Sequence, residues 1–298
     1  MSGTLYVVAT PIGNAGDITD RARRVLSEVH VIAAEDTRSV RSLLGALGIR
    51  QPDGQVWVSN HKFNESGRAG ALLDKLRQGL DVALVSDAGT PCVSDPGGVL
   101  VAAAVEQGFS VVGVGGISAV TAALSVCGFA FHSFAFYGFL PRAAKNAANA
   151  ALTARDSGIG AAVWFESPLR VVKSMETLSK TLPDARVCLC NDLTKKFERL
   201  YRGTPAAVLA ELLENPNANK GEYTLVVGFS ICPVGDGTPA APQNQTDTPL
   251  QSPESLLADH ITKHGGTLKE AVSALAGQGG YSKKELYAAS LRLKKMCE

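Results

Sequence analysis

The sequence predicts an α/β protein, a mostly parallel sheet covered by helices on both faces. Three observations carry this. Short runs rich in Val, Ile and Ala alternate with stretches of helical length and helical apolar spacing. The loops between them are short, as they are in strand–helix–strand units. At 298 residues the chain is long enough for roughly two domains that need no staples.

The first strand is expected over residues 5–9, ended by Pro11 and Gly13. A helix follows over about 18–26, with Asp17 as its expected cap and Asp20 at the third helical position. Next come a strand over 29–33 and a helix over 39–47 that stops at Gly48. A strand over 56–58 leads to a helix over 67–77 closed by Gly79. Strands over 82–85 and 111–114 then alternate with helices over 97–106 and 118–125. A second unit continues the pattern. Its strands fall at 134–137, 161–165, 186–190 and 223–229, its helices at 143–155, 169–178 and 205–213. The expected domains are therefore 1–128 and 129–231.

From residue 233 to 253 the composition changes. Five of the 14 prolines lie here with no Lys or Arg, which reads as a flexible linker, taken as 232–253. After it, 255–278 and 282–295 read as small helices of a module spanning 254–298. Ser282 with Glu285 has the spacing of a capping box. The last 16 residues hold Lys283, Lys284, Arg292, Lys294 and Lys295, which form either a solvated face or a contact with RNA.

Charge excludes some classes. Lys plus Arg total 29 and Asp plus Glu 28, so no whole-protein polyanion surface is indicated, although a local basic patch stays open. The six cysteines form no CxxC pair, and Cys188 and Cys190 read as buried strand residues. His260 and His264 lack a third ligand signal, so no metal is expected. No apolar stretch approaches the roughly 20 residues of a membrane span. A turn follows the first apolar run at once, unlike a signal peptide. The expectation is a cytoplasmic protein without a membrane partner.

Three turns sit just after expected strand ends: Thr10-Pro-Ile-Gly-Asn14, Ser86-Asp-Ala-Gly-Thr-Pro91 with Ser94-Asp-Pro-Gly97, and Gly113-Val-Gly-Gly-Ile-Ser-Ala119. In an open sheet, ligands bind beyond the carboxyl ends of strands, and glycines let the backbone approach them. Each turn alone could be an ordinary strand–helix connection; three in one sheet point to a small-molecule pocket. A full GxGxxG after the first strand and a P-loop are both absent.

The turns belong to a longer series of motifs. It includes Ala33-Ala-Glu-Asp-Thr-Arg38, Tyr137-Gly-Phe-Leu-Pro141, Phe165-Glu-Ser-Pro168 with Arg170, and Leu193-Thr-Lys-Lys-Phe-Glu198 with Arg202-Gly203. In this order the series resembles the ribosomal RNA small subunit methyltransferase I family, the 16S rRNA cytidine 2'-O-methyltransferases, over about residues 4–230. The resemblance implies a tetrapyrrole-methylase-like fold, class III among S-adenosylmethionine-dependent methyltransferases, and usually a homodimer. It implies S-adenosyl-L-methionine in the cleft, S-adenosyl-L-homocysteine as product, and a decoding-region cytidine of 16S rRNA, in the assembled small ribosomal subunit, as substrate.

For the cofactor, the resemblance and the turns together single out Asp87, Ala88, Gly89 and Thr90. The other wall falls to Gly115, Ile117, Ser118 and Ala119, and the floor to Pro11 and Gly13. Phe165, with Leu225 or Val226, would lie near the adenine. Glu35 or Asp36 is either the proton acceptor or part of a structural network with Arg38. Glu166 is a second acceptor candidate. His61, Asn64, Glu65, Lys195, Lys196 and Arg202 are candidate RNA contacts, since phosphate binding by basic groups supplies affinity.

The chain departs from the family pattern in places. Phe63 and Leu169 stand where a His is usual, and Asn191-Asp192 where Arg-Glu is usual. Val114-Gly-Gly-Ile-Ser118 replaces a proline-bearing turn, which loosens it. Two other functions stay open at this stage: a tetrapyrrole C-methyltransferase, and a non-catalytic ribosome-binding protein.

Overall fold

A computed structural model describes residues 2–229, 253–276 and 282–296. The expected linker, apart from Pro253, lies outside the described residues. The residues from Met1 to Val234 form one compact unit that contains two five-stranded sheets.

Strands β1 (Thr4–Val8), β2 (Val31–Ala34), β3 (Val56–Ser59), β4 (Val82–Val85) and β5 (Ser110–Val114) form the first sheet. Its order is β3-β2-β4-β1-β5, with every pairing parallel. Successive side chains of β2 point to opposite faces. Ile32 and Ala34 join the core under α1 (Asp20–Glu28) and α2 (Thr37–Ala46). Val31 and Ala33 join the core under α3 (Glu65–Arg77) and α4 (Gly98–Glu106). Burial on both faces explains why these strands read as unbroken apolar runs.

The expected cap of α1 is corrected. Thr19, not Asp17, accepts from the Ala22 amide, and Asp20 occupies the first helical position. Asp17 instead ends a short 3-10 turn capped by Asn14.

The second sheet contains β6 (Phe134–Phe139), β7 (Ala161–Glu166), β8 (Arg186–Asn191), β9 (Arg199–Gly203) and β10 (Tyr223–Gly228) in the order β6-β7-β10-β8-β9. Only β6 and β7 run parallel; β10 is antiparallel to both neighbours, and β9 to β8. β9 was not anticipated, because its alternation Arg199-Leu-Tyr-Arg202 is brief and follows a charged loop. One face packs around Trp164, Leu189 and Leu225 beneath α6 (Ala144–Asp156), α7 (Val171–Thr181) and α8 (Pro205–Glu214).

The opposite face is covered by α5 (Ala119–Val126), which follows the last strand of the first sheet. Its Val120, Ala123 and Leu124 share a core with Val163, Cys188, Cys190 and Val226. Each large apolar side chain buried this way stabilises by about 1.5–3 kcal/mol. Helix α5 thus joins the halves and fixes where its own N-terminus sits. Cys188 and Cys190 are buried in β8, as the strand reading expected.

The second unit, from residue 235 onward, has α9 (Pro253–His264), α10 (Leu268–Leu275) and α11 (Lys283–Met296). Leu257, Ala271, Val272, Leu286 and Ala289 form its core. Gly265 and Gly266, both at positive φ, divide the expected helical stretch 255–278 into two. Thr267 with Glu270 forms a capping box, and Ser282 exchanges the same bonds with Glu285. Among the described residues, no helix is long and apolar enough to cross a membrane.

Candidate active site

The loops after β1, β4 and β5 meet the edge of the second sheet formed by the ends of β6, β7 and β8 and the start of β10. Between them lies a cavity of about 370 Å³, within the range of small-molecule sites. The first half supplies Ile12, Ala88, Gly89, Thr90, Asp95 and the α5 start at Ser118 and Ala119. The second half supplies Phe139, Phe165, Leu193, Tyr223 and Thr224.

The backbone shapes the first wall. Thr10 and Gly89 exchange amide-to-carbonyl hydrogen bonds at 2.8 and 3.1 Å, which clamp two of the expected turns together. Gly89 has φ of +78°, a conformation that side chains with a Cβ resist. The opposite wall is aromatic. Phe165 packs against Phe136 at 4.8 Å and edge-on to Phe139 at 5.7 Å between ring centroids.

All four non-glycine residues at positive φ among the described residues lie in two loops at this cavity. Cys92 and Ser94 bracket Val93, and Asp192 and Thr194 bracket Leu193. Val93 and Leu193 both line the cavity. Such backbone costs on the order of 1–3 kcal/mol per residue and persists where the surroundings enforce it, commonly at ligand sites.

Three carboxylates gather at the first sheet's edge. The Asp36 amide donates to Asp87 Oδ1 at 3.1 Å, which fixes Asp87 beside the Glu35 segment. Burial raises the Glu35 pKa, and the charge of Asp87 adds to the rise. Asp95 is pushed up to about 6, first by burial and then by the charge of Glu35. A carboxyl in that range exchanges protons near neutrality. Asp95 was missed as a site residue, although it lies in the quoted Ser94-Asp-Pro-Gly97 turn. Its significance comes from burial and from Glu35, 60 residues earlier in sequence.

Of the expected cofactor residues, Ala88, Gly89, Thr90, Ser118, Ala119 and Phe165 line the cavity. Pro11, Gly13, Asp87, Gly115 and Ile117 belong to the same turns without lining it. Leu225 and Val226, expected near the adenine, do not line the cavity. Both are buried in mid-strand, with Leu225 in one core and Val226 in the other. The strand reaches the cavity two residues earlier, at Tyr223 and Thr224.

Several expected catalytic or RNA contacts are committed to structural partners. Glu166 lines the cavity at 3% exposure, but one oxygen takes the Ser167 amide and Arg170, and the other takes the Ser174 hydroxyl. These bonds hold the loop into α7. Asp36 caps α2 and pairs with Arg38 at 3.0 Å, which lowers its pKa; the Arg38 side chain is 90% exposed.

Glu65 Oε1 accepts from the Gly97 and Val99 amides at 2.7 and 2.8 Å, so this buried carboxylate caps α4. Asn64 clasps its own turn through the His61 amide and the Ser59 carbonyl, and His61 Nδ1 accepts from the Phe63 amide. Lys195 bonds Asp192 and Glu222, both at 2.9 Å, and its stem lies where a Cβ on Gly13 would stand. Arg202 donates twice to the Val126 carbonyl at the end of α5. Lys196 remains exposed, its ammonium over the Phe197 ring.

The cavity fits S-adenosylmethionine in size and chemistry. It offers an aromatic and apolar wall for a heterocycle, a closely approached glycine backbone, and carboxylates compatible with a cationic sulfur. Among the described residues, no cluster of three or more His, Cys, Asp or Glu side chains is placed to hold a metal ion.

Comparisons with known proteins agree with this architecture. The family model for tetrapyrrole (corrin/porphyrin) methylases matches residues 4–208. Ribosomal RNA small subunit methyltransferase I of Haemophilus influenzae is 36% identical, covering 96% of each chain. The protein of the same name from Micromonospora olivasterospora is 42% identical, covering 93% of this chain and 83% of its own. Among solved structures, a diphthine synthase covers 76% of this chain and 90% of its own, with TM-score 0.58 at 16% identity. A Thermus thermophilus uroporphyrin-III C-methyltransferase complexed with S-adenosylhomocysteine covers 76% and 97%, with TM-score 0.51 at 19% identity. These two structures share the fold.

Proposed function

The chain belongs to the ribosomal RNA small subunit methyltransferase I family, and we propose that it methylates the 2'-oxygen of a decoding-region cytidine in 16S rRNA using S-adenosylmethionine. The single observation that carries this reading is the cavity where Gly89, Phe165 and the raised-pKa Asp95 converge. We place the reaction in the cytoplasm, on the assembled small subunit, with the enzyme as a homodimer.

Bound S-adenosylmethionine supplies an electrophilic methyl group on a cationic sulfur. Ala88 and Gly89 offer backbone to hold it, and Phe139 and Phe165 wall the site against water. Aligning oxygen, carbon and sulfur is most of the task, because positioning alone can remove much of the barrier. Asp95, with Glu35 behind it, receives the proton of the ribose hydroxyl. Near neutral pH it is ionised yet basic enough to accept. Arg38, exposed in the turn that follows the Glu35 segment, suits a phosphate of the same RNA.

The test combines purified protein, labelled S-adenosylmethionine and small subunits from a strain lacking the modification. The digested product is located by mass spectrometry. One 2'-O-methylcytidine in the decoding region is the expected result. Methyl transfer to a base, to protein or to nothing overturns the proposal.

A further inference from the structure

We propose that the exposed face of α11 is a second RNA-binding surface, made of residues that do not line the methyl-transfer cavity and carried by its own small helical unit. The proposal rests on the reading of this chain as an RNA methyltransferase.

The geometry of the helix carries it. Leu286, Ala289 and Ser290 are buried against the unit's own core. At 3.6 residues per turn, Lys283, Lys284, Tyr287, Leu291 and Lys294 fall within about 100° of one another, on a face centred roughly 120° from the centre of that buried stripe and bordering it at Ser290. All five are exposed, Tyr287 by 56% and Leu291 by 49%. An aromatic ring and an aliphatic side chain thus stand in solvent, flanked by ammonium groups. That composition suits nucleic acid, where lysines meet phosphates and a tyrosine stacks on an unpaired base.

Charge complementarity selects the same partner. Glu285 of α11 and Glu270 of α10 are both drawn into capping boxes at helix starts. Lys283 and Lys284 stand in the first turn of α11, where the helix dipole favours acidic residues. Two lysines there cost helix stability, and a bound phosphate would reverse that cost.

The whole chain's formal charge of +1 makes the concentration of lysines on this face more telling. Residues 230–252 join the two units in sequence, so binding here would tether the catalytic unit to its substrate and raise the effective concentration of the target ribose.

The experiment uses the full chain. Affinity for a labelled decoding-region RNA is measured between 50 and 200 mM salt for wild type, for K283Q/K284Q/K294Q, and for Y287A. Losing three phosphate contacts flattens the salt dependence. Over this range wild-type affinity should fall about 20- to 40-fold further than that of the triple variant. KM for small subunits should rise while kcat and S-adenosylmethionine affinity hold. K283R/K284R/K294R should behave as wild type, and Y287F better than Y287A.

Equal salt slopes in wild type and the triple variant overturn the proposal. So does loss of subunit binding with naked RNA binding intact, which would mark a protein contact. If the arginine variant fails as badly as the glutamine one, helix integrity rather than charge is responsible and the proposal falls. A wild-type chain that neither binds RNA nor methylates the subunit overturns the function itself, a different result from intact methylation with an inert α11.

Discussion

Replacing Glu65 separates its structural duty from RNA contact. Its Oε1 takes two backbone amides, Gly97 and Val99, at the start of α4, and the residue is 8% exposed. A hydrogen bond to a charged group contributes about 1.5–3 kcal/mol, and an ordinary helix cap about 0.5–2 kcal/mol. Glu65→Ala removes both bonds and leaves buried donors, so a cost of about 3 kcal/mol is expected. For a unit of this size that lowers the melting temperature by roughly 6–12 °C. Glu65→Gln keeps one carbonyl oxygen able to take both amides, so it should cost under about 1.5 kcal/mol. Thermal unfolding followed by circular dichroism, beside RNA affinity at fixed salt, decides the matter. Glu65→Ala melting with wild type while its RNA affinity drops would refute the capping argument.

Other expected outcomes concern the cavity and its frame. Asp95 has a folded pKa near 6 against an unfolded 3.8, so the native state holds its proton longer and stability falls as pH rises between them. Asp95→Asn should therefore raise the melting temperature at pH 8 but not at pH 3.5, while flattening the rise in methylation rate through about pH 6. Gly89→Ala forces a side chain into positive φ at a cost of about 1–2 kcal/mol, and calorimetry should show S-adenosylmethionine binding weakened roughly tenfold. Gly13→Ala drives a methyl group into the Lys195 stem and should destabilise by about 1–3 kcal/mol in urea unfolding. Lys195→Ala on that background should recover part of the loss by opening the space.

The first sheet was legible because its strands are buried on both faces and its helices end at glycines. Gly48 and Gly79 stop α2 and α3 where their patterns suggested, each at positive φ. The second sheet was less so. Nothing in the Tyr223–Gly228 pattern announces an antiparallel strand between β7 and β8, since pairing partners are a property of the assembled sheet. The lining by Tyr223 and Thr224 was hidden for the same reason, because strand periodicity says which residues share a face but not where a strand meets a cavity. The partners of Glu65 and Arg202, and one of the two partners of Lys195, were hidden because they lie 27 to 76 positions away. Asp36 and Asp87 sit 51 positions apart, and only folding makes them neighbours.

The place of β10 has a consequence for how the molecule is made. It is the last strand of its sheet to be synthesised, yet it lies in the middle, paired on both sides. Until Gly228 emerges, β7 and β8 stand as unpaired edges with an open lane between them. Such edges invite pairing with other chains. The first sheet has no such debt, since its last strand, β5, adds at an edge. A nascent chain therefore holds a complete first sheet from Val114 onward, and beside it a second sheet that stays split from the end of β8 at Asn191 until Gly228 is made. Chains cut short before Gly228 should enter aggregates rather than accumulate as folded halves, because the strand that closes the lane also brings Tyr223 and Thr224 to the cavity.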